Sequence, residues 1–428
     1  MLETHLPVTN ACWIPAEGAH SGAVTPDTAR ILLGRFADAR QDGSQVIALR
    51  DPLGLNKLYA AFHPDVGVIA ANYLIDLIRA GTSFSDIYAI PPGSVVTLDP
   101  QHRTGAVCRF AALPSRAGSD RAVGELAAEI VALLDQGMQH LAAAHPNLPV
   151  VICLSGGADS SVIASYARQH FPHAIAYSYC LDARPLSEDA TAARAVAGHL
   201  GLPFRLVHAD RQALLDAVPS ALVHGQDWRD FNVHAAVVNE VLAAAIATDH
   251  PQGALVLTGD LMNEFLADYT PVPHGGTDYY RLPRLSPDRL RVHLARGLQT
   301  GDREVGVFTA HGLTVVQPYG WAVSQLLALP EPVSKPQLMT ALARGTLPVK
   351  VLQRPKLRAQ IGDRKAETGV LPQLLRAGIT QRSLEDRFRR ALGIRSPLEL
   401  RSAVRGGVHQ PVPAPRIPAE GHHEYLTS

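Results

Sequence analysis

The spacing of apolar residues changes once along the chain, near residue 120. Before that point short apolar runs alternate with turn residues, and Val46-Ile47-Ala48-Leu49, Lys57 to Phe62, Gly67 to Ala71 and Ser94 to Leu98 read as strands, with a helix predicted over Pro26 to Ala39. After it, long helical stretches alternate with single apolar strands, the pattern of a parallel sheet covered on both faces. The predicted order is a helix at about 121–144, strands at Val150 to Leu154, Ala174 to Cys180, Phe204 to Val207 and Ala254 to Leu257, and helices at Ser187 to Leu200 and Val233 to Ala247. Helical character then runs from Asp288 to about Leu392, with a break at Pro318-Tyr319-Gly320. The expected organisation is a small, mainly β domain over residues 1–113, a linker at 114–121, a larger domain over 122–404 and a disordered tail at 405–428.

Composition narrows the class of protein. The 428 residues are 46% apolar, enough for two sizeable cores, and 39 basic side chains balance 39 acidic ones. That balance offers no electrostatic footprint for nucleic acid, so any nucleotide handled should be a small molecule. The four cysteines, Cys12, Cys108, Cys153 and Cys180, are dispersed and read as reduced thiols of a cytoplasmic protein. The chain shows neither a signal sequence nor an apolar run long enough to suggest a membrane span, and assembly into a homo-oligomer is left open.

The strongest local signal is Val150 to Ser161, VVICLSGGADSS. An apolar strand passes through Leu154 into Ser155-Gly156-Gly157-Ala158-Asp159-Ser160-Ser161 and reopens as a helix. Two glycines let the main chain approach a ligand, the helix N-terminus favours an anion, and Asp159 offers a hard oxygen to Mg2+. The P-loop spacing and its lysine are absent. The loop reads instead as a pyrophosphate cradle of enzymes that split ATP between the α and β phosphates, with Tyr179, Thr258 and Gly259 ending neighbouring strands on the same crevice.

Several segments stand in the order found in the asparagine synthetase and β-lactam synthetase superfamily, which the chain resembles over most of its length. They are the Ser155 loop, Ser187-Glu188-Asp189, Leu257-Thr258-Gly259-Asp260, Gly301-Asp302-Arg303 followed by His311-Gly312, and Arg354-Pro355-Lys356. Arg50-Asp51-Pro52-Leu53-Gly54-Leu55 with Leu58-Tyr59, and Ile90-Pro91-Pro92-Gly93, resemble segments of that family's glutaminase-like domain. The resemblance implies an α/β chain: a degenerate Ntn-type αββα-like N-terminal domain, then a parallel-sheet, adenine-nucleotide α-hydrolase-like synthetase domain. It also implies ATP and Mg2+ as cofactors, with a small-molecule carboxylate and an amine as substrates.

The departures from the family are informative. Glutamine-using members expose a cysteine at position 2, where this chain has Leu2, so its N-terminal domain is expected to be a truncated and inactive glutaminase. After the fourth strand the chain reads Gly259-Asp260-Leu261-Met262-Asn263-Glu264, with Asp260 at the position of substrate recognition or base catalysis and Asn263 in place of an aspartate that resembles a magnesium ligand. Lys356 resembles the catalytic lysine of the β-lactam synthetases. Gln226 to His234 is a polar and aromatic cluster in a region the family uses for substrate. Asp227, Arg229 and His234, with Glu264, are the candidate specificity residues, while Asn232 alternatively caps the following helix. The resulting expectation is amide or lactam formation through an acyl-adenylate, of the kind used in specialised metabolism. An ammonia-dependent asparagine synthetase and a non-catalytic ATP-binding protein remain as alternatives.

Overall fold

The computed structural model describes residues 10–15, 32–109, 120–181, 186–266, 272–274, 276–279, 301–330, 333–355, 358–363 and 367–400. The proposed tail lies outside them.

The N-terminal domain is two antiparallel sheets laid face to face. The first contains β1 (Asn10–Pro15), β2 (Leu32–Asp42) and β3 (Gln45–Arg50), then β7 (Ser94–Asp99) and β8 (Thr104–Arg109), in that order across the sheet. The second orders β5 (Gly67–Ala71), β4 (Tyr59–His63) and β6 (Ile87–Ala89), with the short helix α1 (Leu74–Arg79) following β5. Ala37, Ala48 and Val96 on one face of the larger sheet meet Leu58, Ala60 and Phe62. On its other face Phe36, Leu49 and Val95 form a second cluster.

Coverage of both faces explains the main error of the sequence reading. The helix expected over Pro26 to Ala39 is instead β2 from Leu32 onward, paired with β3 from Ala37↔Arg50 to Asp42↔Gln45. Because neighbours Phe36 and Ala37 are both fully buried, on opposite faces, the period-two alternation of a half-exposed strand is missing.

The Arg50-Asp51 motif holds a turn together. The wholly buried Arg50 guanidinium donates to the carbonyls of Asn56 (2.6 Å), Gly54 (2.6 Å) and Ile90 (3.0 Å), and Asp51 accepts from the backbone of Leu55 and Asn56. Lys57, just beyond that turn, reaches the second domain and donates to the Gly225 carbonyl at 2.9 Å.

The second domain begins with α2 (Val123–Ala144) and is organised by β9 (Val150–Cys153), α3 (Ala158–His170), β10 (Ile175–Leu181), α4 (Glu188–Leu200) and β11 (Phe204–Ala209). Then come α5 (Arg211–Gly225), α6 (Asp230–Asp249), β12 (Leu255–Leu257), α7 (Met262–Leu266) and the small β13 (Val272–His274) and β14 (Thr277–Tyr279) pair. Helix α8 (Gly301–Ala310) leads into β15 (Thr314–Val316). The rest is short helices: α9 (Val323–Leu327), α10 (Lys335–Ala343), α11 (Val349–Leu352), α12 (Val370–Arg376) and α13 (Gln381–Ala391).

Five parallel strands run in the order β11-β10-β9-β12-β15, with Val150↔Leu255 and Ile152↔Leu257 joining β9 to β12. The chain therefore builds outward from β9 in one direction and returns to place β12 on its other side. This reversal opens a crevice beyond the carboxyl ends of β9 and β12. The structure is thus the α/β architecture expected, with a two-sheet domain before a parallel-sheet domain.

Two elements differ from the expectation in this domain. Helix α5, not foreseen, contains Pro219 and is capped by Asp210, whose carboxylate accepts from Ala213 N at 2.7 Å. Strand β15 interrupts what reads as continuous helix, and Pro318-Tyr319-Gly320 forms part of a 3-10 turn after it. A three-residue buried strand leaves too short a pattern to separate from helix. Helix α6 is long and apolar enough to cross a membrane, but 61% of its apolar window is buried within the protein, as expected of a core helix.

Replacing Arg50 by methionine leaves three buried carbonyls without their donor, so Arg50→Met should destabilise the protein by about 3 kcal/mol or more, read as a lowered denaturant midpoint. A midpoint unchanged by this substitution would mean that the turn is not held by the guanidinium.

Candidate active site

A cavity of about 520 Å³ occupies the crevice beyond β9 and β12. Its floor is the loop between β9 and α3. The two serines at the ends of that loop bind each other: Ser155 Oγ and Ser160 Oγ are 3.0 Å apart, Ser160 Oγ also accepts from Ser155 N at 3.2 Å, and Gly157 N donates to Ser155 Oγ at 3.3 Å. The loop is thus folded by its own side chains before any ligand arrives. Leu154, Ser155, Gly157, Asp159 and Ser160 line the cavity.

Gly156 and Ser161 do not line it, in contrast to the sequence assignment of the whole loop to ligand binding. Gly156 (φ +73°) faces α4, where a Cβ would sit 2.5 Å from Ala193 N. Ser161 is fully buried beneath the loop. Gly259 serves a similar close approach from the other side, since a Cβ there would lie 2.6 Å from Ser160 N. The two strand-end loops therefore touch main chain to main chain.

Charged groups converge above this floor. Lys335, at the start of α10, donates to Asp159 Oδ2 at 3.0 Å and to Asn263 Oδ1 at 2.6 Å. The two side chains suggested by the sequence as metal ligands thus already share one positive charge. Two convergent hard oxygens fit Mg2+, with one formal charge from the protein instead of two, and an ammonium now stands between them. Tyr319, in the 3-10 turn, supports the same loop by donating to the Asp159 carbonyl at 2.9 Å.

On the opposite wall Asp260 Oδ2 accepts from Arg303 Nη2 at 3.1 Å, and its side chain is 30% exposed. Arg303 is fixed in turn by Asn239 and Asn232, each at 3.3 Å. Beneath it Glu304 accepts from Thr258 Oγ1 (2.7 Å) and Gln317 Nε2 (2.9 Å). Burial pushes the Glu304 carboxyl above its ordinary range, against the opposing effects of Arg303 and these two hydrogen bonds. Glu264 is buried and lines the cavity close to Glu304. Tyr179 also lines it, and its hydroxyl is buried without a hydrogen-bond partner among the described residues; burial pushes this phenol well up.

The cluster chosen from sequence as specificity residues is turned away from the cavity. Asp227 and Arg229 form a buried ion pair, with Arg229 Nε 2.8 Å from Asp227 Oδ1, and the Asn232 amide also donates to Asp227. Burial opposes ionisation of Asp227, but the Arg229 charge and these hydrogen bonds outweigh it and hold the carboxyl at about 2. His234 is buried and held down at about 3 by desolvation. Asn232 is not the N-cap: α6 starts at Asp230, and Asn232 lies in its first turn. The same helix does reach the cavity, through Phe231, Ala235, Val238, Asn239 and Leu242, whose spacing makes one mostly apolar face.

Lys335 and Glu304 are the functional candidates that the sequence reading missed. Lys335 lies 176 residues from Asp159 with no local motif around it. Lys356 lies outside the described residues. Pro355 and Arg358 on either side of it line the cavity, and Arg354 is held by Asp189 at 2.7 Å.

Residues 136–303 match the family model of asparagine synthase. The chain carries an asparagine synthase domain. The matched segment runs from α2 to the beginning of α8, so the cradle, Asp260 and Arg303 fall inside it, and Lys335 and Arg354 beyond it. This domain places the chain among the ATP-dependent, amide-forming synthetases in general terms. Among solved structures the chain is similar to NMN synthetase from Francisella tularensis, with 15% identity and a TM-score of 0.31 over 65% of this chain and 96% of that one. It is also similar to the glutamine phosphoribosylpyrophosphate amidotransferase from B. subtilis complexed with ADP and GMP, with 16% identity and a TM-score of 0.18 over 44% of this chain and 36% of that one. No curated protein matches the chain by sequence.

The buried His234 gives the asparagine synthase domain a specific acid sensitivity. Folded, the imidazole stays neutral down to about pH 3; unfolded, it takes up a proton below about pH 6.5. The unfolded state therefore binds more protons between these values, and stability falls as pH is lowered through that window. His234→Gln should flatten the fall in unfolding midpoint between about pH 6.5 and 4.5. An equally steep fall in the variant would assign the sensitivity to other groups.

Proposed function

We propose that the protein joins a carboxylate to an amine through an acyl-adenylate, consuming ATP to AMP and pyrophosphate, and that its amine does not come from glutamine. The observation that carries this reading is the Lys335 ammonium shared by Asp159 and Asn263 directly over a loop already folded for an anion. Positive charge and backbone N–H groups stand together on one side of the cavity, where the β and γ phosphates of ATP would lie.

In the first step an oxygen of the substrate carboxylate attacks the α phosphorus, the bond from that phosphorus to the bridging oxygen breaks, and pyrophosphate leaves into the cradle. Lys335 balances the charge gathering on the leaving group, and the α3 N-terminus adds its dipole. Asp159 and Asn263 would hold Mg2+, which when bound neutralises phosphate charge. The apolar face of α6 gives the adenine or the body of the carboxylate a dry surface, and the Tyr179 hydroxyl is available to hydrogen-bond the nucleotide.

In the second step the amine nitrogen attacks the carbonyl carbon, its proton passes to solvent, and the carbon–oxygen bond breaks to release AMP. Asp260 is the group that orients this amine. Its ion pair with Arg303 fixes the carboxylate while leaving it partly exposed to the cavity. Lys356, from its place in the Arg354-Pro355-Lys356 segment, supports charge on the reacting carbonyl oxygen and on AMP. On this reading no glutamine is hydrolysed, and the amine is ammonia, a second small molecule or a group of the same substrate. The lactam-forming and two-substrate cases suit specialised metabolism in the cytoplasm.

ATP–pyrophosphate exchange with a panel of amino acids and small carboxylic acids tests the first step. One acid should support exchange, and Asp159→Ala and Lys335→Ala should each lower the rate at least about 100-fold. Asp260→Asn should spare exchange and lower amide formation, separating the two steps. ATP binding without exchange for any acid, in the presence of amines, would leave a nucleotide-binding protein in place of an enzyme.

A further inference from the structure

Three ligand-type side chains meet away from the cavity. The Glu240 carboxylate, in the middle of α6, is 5% exposed and has an imidazole on each oxygen: His224 Nδ1 is 2.7 Å from Oε1, and His311 Nε2 is 2.8 Å from Oε2. One atom from each of the three residues lies within 4.8 Å of the others. None of the three lines the cavity. They come from three separate elements: His224 ends α5, Glu240 belongs to α6, and His311 immediately follows α8.

The backbone around them is tightly fixed. A Cβ at Gly306 would be 2.2 Å from the His224 carbonyl oxygen, so α8 crosses the end of α5 in main-chain contact. Tyr73 of the first domain donates to the Gly306 carbonyl at 2.6 Å, and its ring stands edge-on to His224 with centroids 6.2 Å apart. The His224 and His311 rings are perpendicular to each other, at 6.0 Å. Preorganisation of this kind is what a metal site requires and a surface histidine pair lacks.

We propose that His224, Glu240 and His311 bind one divalent transition-metal ion, with Zn2+ the best fit to their donors. Two imidazole nitrogens and one carboxylate are a borderline donor set of the type that holds Zn2+ with a fourth position left to water. A tetrahedral ion at about 2.0–2.1 Å from each ligand sets neighbouring ligand atoms about 3.3 Å apart. The two imidazoles now rest on different oxygens of Glu240, and with one atom from each residue already within 4.8 Å of the others, small side-chain rotations of about 1.5 Å at most bring the three to that spacing. As the ion enters, each ring changes tautomer: the proton facing Glu240 passes to solvent and one is taken up at the other ring nitrogen, so both imidazoles stay neutral, and the imidazole edges, 29% and 24% exposed, give both proton and ion a path. Hydrogen bonds from both imidazoles already hold the carboxylate ionised: burial would raise Glu240, but His224 and His311 outweigh it and keep it below its ordinary range.

The ion would clamp the far side of the catalytic scaffold. Asn239, the neighbour of Glu240, accepts from Arg303, and Arg303 holds Asp260. Helix α8 thus presents Arg303 and Glu304 to the cavity at its beginning, with His311 in the cluster just past its other end.

The test uses the full chain, stripped with chelator and titrated with Zn2+ against a chromogenic chelator in millimolar Mg2+, which saturates the oxygen ligands of the cavity. One Zn2+ should bind per chain with submicromolar affinity, about 100-fold or more weaker in His311→Ala and in His224→Gln. Co2+ at the same site should give the visible absorption of a tetrahedral ion, absent from both variants. Both substitutions are at partly exposed rings, and unfolding curves without metal establish that each variant folds. Added Zn2+ should raise the unfolding midpoint of the unsubstituted protein and not that of the variants. Zn2+ affinity equal in all three proteins, or weaker than submicromolar in the unsubstituted chain, would overturn the site.

Discussion

The main chain of Gly259 lies against that of Ser160, and the candidate active site depends on that contact. It exists because β12 returns to pair with β9 after the sheet has grown away on the other side. Two loops that leave adjacent strands in the same direction must then share one space, and only a residue without a side chain lets them touch. The cavity follows from this meeting. One loop supplies the backbone at the start of α3 and Asp159; the other supplies Asp260, Asn263 and Glu264.

Around that junction the charges are divided. Lys335 sits on the cradle side between Asp159 and Asn263, and Arg303 sits on the opposite side with Asp260. A substrate bridging the cavity would meet an ammonium at one end and a partly exposed carboxylate at the other. The two-sheet domain contributes from a distance. Lys57 binds the Gly225 carbonyl, and the backbone of Asn72 and Leu74 bonds the Gln226 side chain. These contacts brace the α5–α6 corner behind Arg303, a structural role that needs no glutaminase chemistry.

The parallel sheet and its loop were legible in the sequence because each is a local signal: an apolar strand, two glycines, a helix start. Lys335 was not, because its neighbours in space are 72 and 176 residues away and its own surroundings are an ordinary helix start capped by Ser334. Asp227, Arg229 and His234 show the converse. A polar cluster has the same composition whether it faces a ligand or, as here, satisfies itself; only the fold shows that Asp227 is consumed by Arg229 and Asn232 while Phe231 and Ala235 face the cavity. Strand β2 was misread because burial on both faces erased its alternation.

The central claim is that ATP is cleaved between its α and β phosphates in this cavity. The most direct measurement is phosphorus NMR of the nucleotide products when the protein turns over ATP with Mg2+, its carboxylate and its amine. AMP and pyrophosphate in equal amounts are the expected products. ADP and inorganic phosphate would contradict the account, since they require attack at the γ phosphorus and a different use of the cradle.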